Sequence, residues 1–380
     1  MGHSLLIITN LITPYRIDYF NALSKKLGEN NFYVLFYYEK WKVLPWHIEA
    51  DNIKFNHLFL EEEYGNRIGI LKLIKILIPL SFSNVLLAGH SIYSIITLII
   101  FKVKHAKVFL WTEEREKPKG SKKLQGIENN NKVNIITDRI KNHIRYLIRK
   151  YSLPFFDSIV SVSELSKNYF IEQYNISPDK INVVLQTNTI PCSKKQNKKI
   201  NHKIKFLYVG KLEKYKYVDF LIECFNRLNK NYLKNISLSI YGEGSERNIL
   251  NLTIEKNGLN KIIRLGKFIE SRKELEKIYL SHDVFIIGSH ETFGVVLIEA
   301  LSAGLVLLSS SEVGAANDVI KQGENGYIFN HLDSNDCIDK LGKIINTPYL
   351  HTMKNNSLKI AENYYVDNLA EKMKNIIHQY

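Results

Sequence analysis

The sequence predicts an α/β protein with two doubly wound parallel sheets, one in each of two domains. Three observations lead to this fold class. The chain has 380 residues, 45% of them hydrophobic and 24% charged, which excludes disordered and fibrous proteins and suffices for about two domains. Short apolar runs alternate with segments of helical period in both halves. A lysine-rich polar stretch at 193–205 interrupts this alternation and is predicted to be an interdomain linker.

The predicted N-terminal domain, residues 1–192, repeats a unit of strand, loop and helix. Its first strand, 5–9, is an apolar run of the kind that is covered on both faces of a parallel sheet. A loop with Pro14 and a helix that ends near Gly28 follow this strand. Four more apolar runs are predicted to be strands: 32–38, 85–88, 107–111 and 158–162.

One segment of this domain resembles a membrane span. Residues 76–101 contain no Asp, Glu, Lys or Arg, as a transmembrane helix would. Pro79, Gly89 and several polar residues nevertheless interrupt the apolar run. The sequence therefore favours a buried strand at 84–88 followed by a buried helix at about 91–101.

The predicted C-terminal domain, residues 206–362, restarts the alternation. A helix is predicted at 218–228, among five apolar runs that are predicted to be strands: 204–209, 236–241, 262–265, 284–287 and 306–308. Residues 363–380 are predicted to form a helix that crosses back to the N-terminal domain. Two such domains in tandem are expected to face a central cleft, and ligands of parallel sheets bind outside the carboxyl ends of the strands.

Basic residues are concentrated in the first half of the chain. The net charge is +14, and by count about +12 of it lies in residues 1–200. This favours an anionic membrane, nucleic acid or a phosphorylated substrate as partner. Two segments combine basic with apolar residues, 68–80 and 138–150. The second places Ile140, Ile144, Leu147 and Ile148 on one helical face, which we expect to pack into the core, the alternative being that it lies on a membrane.

Cysteine usage and the first residues of the chain indicate a cytoplasmic protein. Cys192, Cys224 and Cys337 are too few and too scattered for a disulfide framework or a zinc site. The twelve histidines show no metal-ligand spacing. Residues 1–10 show neither the basic segment nor the cleavage site of an export signal. We expect no metal site, and a protein at the inner face of the plasma membrane in peripheral contact with anionic lipid.

The stretch 283–304 is the most informative part of the sequence. A strand is predicted to end near Ile287, a loop carries Glu291, and a helix begins near Gly294 and ends at Gly304. The N-terminus of this helix offers free backbone N–H groups and a positive dipole end, which suit a phosphate.

Glu299 is an anomaly within this predicted helix. Its neighbours are apolar, so its carboxylate is predicted to be at least half buried, where an unpaired charge costs several kcal/mol. The carboxylate therefore needs a hydrogen-bonding partner, and a ribose diol or a lysine would serve. Glu291, in the loop before the same helix, is expected to point into the same cleft.

The pattern Glu291-x7-Glu299, with Ser289 before it and a segment ending at Gly304 after it, resembles the signature of family 4 glycosyltransferases. These are retaining enzymes with the two-domain GT-B fold. Further motifs resemble that family in chain order: 209–216, 241–247, 265–268 and 313–318. The Pro-Tyr-Arg sequence that ends at Arg16 is similar to a subgroup that has it in place of a double glycine. The resemblance is strong at about 205–330 and weak before residue 160.

The resemblance implies a donor site for a nucleotide diphosphate sugar, expected to be UDP-linked, and no cofactor besides this substrate. Lys211 and Lys216 would hold the diphosphate, because charge builds on the leaving phosphate. Glu299 would hold the ribose hydroxyls, and Glu291 would bond hydroxyls of the donor sugar. The other donor-site residues that the resemblance implies are Gly210, Phe268, Thr292, Phe293, Gly294 and Val295.

The resemblance also implies how such an enzyme reacts. Retaining members are thought to react on one face of the sugar, with the departing phosphate oxygen taking the acceptor proton, so neither a protein nucleophile nor a metal is required. The sequence contains no Asp-x-Asp motif, which metal-dependent nucleotide-sugar enzymes of the other major fold use, and this agrees with a reaction that requires no metal. The sequence departs from the family pattern at three positions. Val306 stands where proline is usual, Lys211 where arginine is commoner and Tyr217 where glycine is frequent. None of these departures removes a needed charge. The N-domain histidine often seen near the reacting carbon has no clear equivalent, and Glu113 or Glu114 is the candidate catalytic residue at the corresponding strand end.

Several of these residues also have a purely structural interpretation. Lys211 and Lys216 lie in a lysine-rich segment that could be a solvated face. The turn 242–244 lacks the third glycine of a dinucleotide fingerprint and is interpreted as structural. Arg16 is either an acceptor or phosphate ligand or a surface arginine.

The expected function is transfer of a hexose or N-acetylhexosamine to a glycan or lipid-linked acceptor in bacterial surface polysaccharide biosynthesis, for example of lipopolysaccharide. One alternative keeps the fold and changes the chemistry, to a nucleotide-sugar epimerase or a phosphorylase. The other is a basic nucleic-acid-binding protein, which would interleave aromatic and basic residues on one surface. No nucleic-acid-binding motif is found in the sequence, so we expect no nucleic acid partner.

Overall fold

The computed structural model describes residues 4–40, 52–63, 69–115, 132–186 and 203–380. The strands are β1 Leu5–Leu11, β2 Phe32–Lys40, β3 Asn56–Glu63, β4 Asn84–Ala88, β5 Lys107–Thr112, β6 Ser158–Ser161, β7 Ile181–Val183, β8 Ile204–Val209, β9 Ile236–Tyr241, β10 Ile263–Gly266, β11 Val284–Ile287, β12 Val306–Ser310 and β13 Gly326–Phe329.

The helices alternate with these strands. They are α1 Pro14–Leu27, α2 Ile70–Leu77, α3 Ile92–Val103, α4 Lys132–Ser152, α5 Glu164–Tyr174, α6 Val218–Asn226, α7 Lys230–Leu233, α8 Arg247–Lys256, α9 Arg272–Leu280, α10 Val295–Ser302, α11 Ala316–Val319, α12 Ser334–Asn346, α13 Leu350–Ala361 and α14 Val366–Gln379. Among the described ranges, no helix combines the length and hydropathy needed to cross a bilayer.

The chain divides into two compact units, each with its own parallel sheet. Among the described residues, unit 1 holds those up to 186 together with 366–380, and unit 2 holds 203–365. The unit 1 sheet has the strand order β3-β2-β1-β4-β5-β6-β7, and the unit 2 sheet has the order β10-β9-β8-β11-β12-β13. All paired strands run parallel. The prediction of two doubly wound α/β units is confirmed.

Helices cover both faces of the unit 1 sheet. Leu73 of α2, Phe101 of α3 and Phe170 of α5 share one buried cluster with alternate strand residues. On the opposite face Phe20 of α1 packs against Phe36 of β2, with ring centroids 6.2 Å apart. Helix α14 lies beside α1 on that face. Burial on both faces explains why these strands read as continuous apolar runs.

One expectation about unit 1 is wrong. The face of α4 that carries Ile140, Ile144 and Ile148 was expected in the core, but these side chains are 54%, 50% and 39% exposed. The helix packs instead through Tyr146, whose ring stacks on Tyr174 of α5 at 5.6 Å. The aromatic residue, lying off the isoleucine stripe, makes the contact with the core.

The strands that the sequence analysis did not predict are β3, β7 and β13. Each lies at the edge of its sheet. β3 ends in three glutamates, and β7 has three residues. An edge strand is paired on one side and is often short or charged, so its apolar signal is weak. Most of the predicted linker, 193–205, lies outside the described residues, and β8 begins at Ile204.

Candidate functional site

The candidate site lies at the carboxyl ends of β8 and β11, the two central strands of unit 2. From β8 the sheet continues on one side through β9 and β10, and from β11 it continues on the other side through β12 and β13. Such a switch point leaves a crevice outside the strand ends, where ligands of doubly wound sheets bind. The segments that follow the two strands carry Lys211, Lys216 and Glu291, three of the predicted site residues.

Lys216 and Glu291 are brought together at this edge. Lys216 ends the short turn Lys214–Lys216 after β8, and its Nζ lies 2.5 Å from Glu291 Oε1. The two side chains are 14% and 20% exposed. Ser289 Oγ donates to the same carboxylate oxygen at 2.9 Å. Glu291 is thus held by a cation and a hydroxyl at the carboxyl ends of the strands.

The loop of Glu291 is fixed by the glycine turn after β12. Glu291 N donates to Glu312 O at 3.0 Å, and Gly314 N donates to Glu291 O at 3.0 Å. A Cβ added at Gly314 would lie 2.0 Å from Thr292 O. Only a glycine permits this approach of two backbones, so the turn that resembles the family motif positions the loop.

Helix α10 begins directly after this loop. Gly294 precedes it with φ +94°, a left-handed conformation that favours glycine. The first turn has no acidic residue and no capping side chain. Its backbone N–H groups and positive dipole end therefore lie beside Glu291 and Thr292, where a phosphate or sugar hydroxyl would be stabilised. Phe293 is buried at this junction.

Glu299 lies on the buried side of α10. It is 8% exposed, and its Oε2 accepts a hydrogen bond of 2.9 Å from the hydroxyl of Tyr279. Burial, and then the charge of Glu299, raise the pKa of Tyr279 well above its ordinary value, so this hydroxyl remains a donor. The prediction that the Glu299 carboxylate is at least half buried is confirmed.

Two further predicted residues, Lys211 and Phe268, follow the carboxyl ends of β8 and β10 in the unit 2 sheet. Lys211 is exposed after β8, and its carbonyl accepts from the Tyr208 hydroxyl at 3.0 Å. Phe268 is exposed after β10. Tyr217, at a position where glycine is frequent in the resembling family, has φ +53°, so it adopts the left-handed conformation that glycine would adopt freely.

The glycine turn after β9 packs against the turn after β8. A Cβ at Gly242 would lie 1.8 Å from Gly210 O, and a Cβ at Gly244 would lie 2.3 Å from Leu212 O. These approaches support the structural interpretation of this turn. The carbonyl of Gly210 accordingly lies in the contact between the turns that follow β8 and β9.

Unit 1 holds the predicted residue Glu113 at the end of β5. Glu113 is exposed, and its Oε2 accepts from Gln186 Nε2 at 3.0 Å. The adjacent Glu114 pairs with Arg149 of α4. Glu113 is therefore the more accessible of the two carboxylates.

Arg16 lies near the same end of the unit 1 sheet. Its Nη1 donates to Thr9 Oγ1 at 2.5 Å, and its guanidinium lies 5.8 Å from the ring centroid of Trp111. With Tyr15, Tyr19 and Trp111 it lines a small pocket. Arg16 is thus bound into the strand ends rather than lying on an open surface.

Sequence reasoning missed three residues that surround the site. Tyr279 of α9, the donor to Glu299, has no motif of its own and is placed there by the packing of α9. His290 Nδ1 lies 3.0 Å from Glu312 Oε2. His331 bonds Ser310 through Nδ1 at 2.8 Å. Within the described part of the chain, no group of three His, Cys, Asp or Glu side chains has the arrangement of a metal site.

Comparison with known proteins finds a family match for the second half of the chain. Residues 190–377 match the family model for Glycosyl transferases group 1. The GtfA subunit of UDP-N-acetylglucosamine–peptide N-acetylglucosaminyltransferase from Limosilactobacillus reuteri subsp. suis is 28% identical over 204 residues. That match covers 50% of this chain and 39% of the relative, so the chain spans less than half the length of this curated relative.

Two of the solved structures that resemble this chain each cover 99% of it. The crystal structure of Anabaena Alr3699/HepE in complex with UDP has a TM-score of 0.71 at 13% identity, over 99% of this chain and 100% of that chain. The apo form of the lipopolysaccharide outer core galactosyltransferase WaaB has a TM-score of 0.72 at 16% identity, over 99% of both chains. At these identities the likeness concerns the fold, and the two Rossmann-like units are those that the GT-B resemblance implies.

Proposed function

Because residues 190–377 of this chain match the family model for Glycosyl transferases group 1, we propose that the protein is a retaining, metal-independent glycosyltransferase of the family 4 type. It transfers a hexose or N-acetylhexosamine from a nucleotide diphosphate sugar, with UDP as the nucleotide, to a glycan or lipid-linked acceptor. The observation that carries the proposal is the placement of Lys216 and Glu291, 2.5 Å apart, at the switch point of the unit 2 sheet.

The donor is bound by cations and by backbone. Lys216 and Lys211 neutralise the diphosphate, and the N–H groups of the first turn of α10 add to this. Glu291 bonds hydroxyls of the donor sugar, while Glu299 holds the ribose diol. Donor binding therefore exchanges the contact between Lys216 and Glu291 for contacts of each with the ligand.

The reaction follows from charge placement. As the bond from the sugar to the diphosphate breaks, negative charge grows on the leaving phosphate oxygen, and fixed cations that are already in position stabilise it. The same oxygen takes the proton of the acceptor hydroxyl, so the sugar keeps its anomeric configuration. For Glu113, which is exposed after β5, we propose a further catalytic role. Each of these residues acts through position and charge, and none forms a covalent intermediate.

The choice of UDP and of a surface-glycan setting is supported by the relatives. Alr3699/HepE was solved with UDP, the GtfA relative is named for UDP-N-acetylglucosamine, and WaaB is a lipopolysaccharide outer core galactosyltransferase. We propose a similar setting here, bacterial surface polysaccharide biosynthesis. The enzyme works in the cytoplasm, in peripheral contact with the anionic inner face of the plasma membrane.

The test is a thermal-shift panel of UDP, GDP, CDP, ADP and dTDP with their sugars. A ligand that binds the folded state raises the melting temperature, and UDP compounds are expected to give the largest rise. Glu299→Ala should abolish that rise, and Glu299→Gln should retain part of it. If the wild type and Glu299→Ala respond alike, the assigned donor pocket is wrong. Product analysis with and without acceptor then separates transfer from epimerisation, which needs no acceptor.

A further inference from the structure

The helices on one face of the unit 1 sheet leave many large apolar side chains exposed. We define the basic apolar layer as α2, α3, α4 and the residues that directly follow α2 and α4. Its exposed apolar side chains, between 39% and 76% accessible, are Ile70, Leu71, Ile78, Ile92, Ile99, Val103, Ile140, Ile144, Ile148, Tyr151 and Phe155. Elsewhere in the described part of unit 1, the only exposed large hydrophobic side chains are Leu58 at 44% and Tyr380 at 37%.

The three helices form one layer. Leu73 of α2, Phe101 of α3 and Leu153 after α4 belong to a single buried cluster on one face of the sheet. Lys104, after α3, donates to the carbonyl of Leu80, after α2, at 2.5 Å. At the other end His90, before α3, bonds Ser152 Oγ of α4 at 2.8 Å. Their outward sides therefore belong to the same side of the domain.

Apart from Asp138 in α4, every charged residue of this layer is basic. The sequence contains no Asp or Glu at 69–105 or at 139–156. Carboxylates of neighbouring elements pair with three of its basic residues: Glu61 with Lys72, Asp157 with Lys102 and Glu114 with Arg149. Among the described residues, no carboxylate lies within ion-pair distance of four others, which are all exposed: Lys75, Lys141, Arg145 and Lys150.

We infer that the basic apolar layer of α2, α3 and α4 is the face on which unit 1 lies against an anionic lipid bilayer. The inference rests on the membrane contact in the proposed function and assigns it to particular side chains. Isoleucines along α4 would enter the boundary between headgroups and acyl chains, and the neighbouring lysines and arginine would meet lipid phosphates. Soluble monomers rarely expose large contiguous apolar patches, and the predominantly cationic charge around these side chains matches an anionic leaflet.

Vesicle flotation of the full-length protein tests this face. The probes are vesicles of phosphatidylcholine alone and of phosphatidylcholine with phosphatidylglycerol. Wild-type protein should float with the anionic vesicles and not with the neutral ones. The variant Ile140→Ser/Ile144→Ser/Ile148→Ser should lose flotation. Lys141→Gln/Arg145→Gln/Lys150→Gln should weaken partitioning about a hundredfold, because each charge contributes about fivefold.

Matched controls come from unit 2, which exposes similar side chains elsewhere. Ile249→Ser/Leu252→Ser on α8 changes two exposed apolar residues, and Lys256→Gln/Lys261→Gln/Lys273→Gln removes three exposed charges. Both control variants should float as the wild type does. Melting temperatures of all variants should agree with the wild type, because every substituted side chain is exposed. Should the serine variant unfold, the charge variant still decides the outcome.

Three results would overturn the inference. Equal loss of flotation in the unit 2 controls would show a diffuse charge effect. Undiminished flotation of both α4 variants would place the contact elsewhere. A change from dimer to monomer in the serine variant, by analytical ultracentrifugation and with flotation unaltered, would make the layer an interface between copies. UDP-induced thermal shifts are recorded in parallel, so failure of the donor site is distinguished from failure of this surface.

Discussion

Lys216 Nζ and Glu291 Oε1 lie 2.5 Å apart at the carboxyl ends of β8 and β11, and both side chains are largely withdrawn from water. A pair of this kind keeps each charge compensated while the donor site is empty, since a lone charge there would be costly. Ser289 shares the carboxylate oxygen and fixes its direction. In the proposed function donor binding displaces this pairing, so both residues are expected to affect donor affinity and rate together.

Lys216→Ala should lower kcat/KM for the UDP-sugar about 100-fold or more, because a fixed cation beside the leaving phosphate is lost. Initial-rate kinetics with varied donor measure this. The matched control is Lys214→Ala, in the same short turn but exposed, which should remain within about twofold of the wild type. Equal losses in the two variants would mean that Lys216 contributes only to general surface charge.

Tyr279→Phe should destabilise the protein by about 1–3 kcal/mol, because the buried Glu299 carboxylate loses its hydroxyl donor. Urea unfolding followed by circular dichroism measures the change. Tyr349→Phe alters an exposed tyrosine and should leave the free energy of unfolding unchanged. A Tyr279→Phe variant as stable as the wild type would show that this hydrogen bond contributes nothing.

Gly314→Ala should both destabilise the protein and reduce donor binding, because its Cβ would lie 2.0 Å from Thr292 O and displace the loop of Glu291. Gly258→Ala is the control. Gly258 has φ +65° with no atom within 4 Å of an added Cβ, so only a backbone cost of about 1 kcal/mol is expected. Melting temperature with and without UDP separates the two effects. Retention of the full UDP shift in Gly314→Ala would contradict the positioning role of the turn.

Lys354→Met should cost about 3–5 kcal/mol, because the Asp283 carboxylate would remain buried without its cation. The two side chains are 4% and 3% exposed and lie 3.0 Å apart. Adding Asp283→Asn to Lys354→Met should recover part of this loss. A double-mutant cycle of unfolding free energies measures the coupling, and additive losses would argue against an ion pair of this strength.

His90 should make stability depend on pH below neutrality. Burial, with a smaller contribution from the nearby charge of Arg149, lowers the pKa of His90 from its ordinary 6.5 to about 4. The unfolded chain therefore binds a proton at a higher pH than the folded protein does, and stability falls as the pH drops from 6.5 toward 4. The loss amounts to at most about 3 kcal/mol at complete protonation.

His90→Gln removes this contribution. Wild type and variant are compared by urea unfolding at several pH values across that window. The difference in their unfolding free energies should shrink as the pH falls, because carboxylates titrate alike in both proteins. A difference that is constant with pH would show that His90 is not buried in its neutral form.

The central strands and the loop of Glu291 were predictable because their sequence signals are local. β8, β9 and β11 read as apolar runs, and Glu299 reads as a carboxylate among apolar neighbours. The left-handed Gly294 and the helix after it also follow from residue types in chain order.

Contacts between distant segments were not predictable in the same way. Nothing in the sequence near Tyr279 indicates that its hydroxyl meets Glu299, because that contact depends on how α9 packs against α10. The exposure of Ile144 has the same origin. The amphipathic pattern of α4 identifies an apolar face of the helix but not what that face contacts. In the folded protein, packing through Tyr146 places another face of α4 against the core.

Helix α14 has a consequence for the order in which the protein is made. It lies beside α1 within unit 1, with Lys26 Nζ 2.9 Å from Glu371 Oε2 and the ring of Phe109 5.7 Å from that of Tyr380. All of unit 2 is translated before this helix. During translation, the segments of unit 2 are therefore made while unit 1 still lacks the helix that packs beside α1 on its sheet.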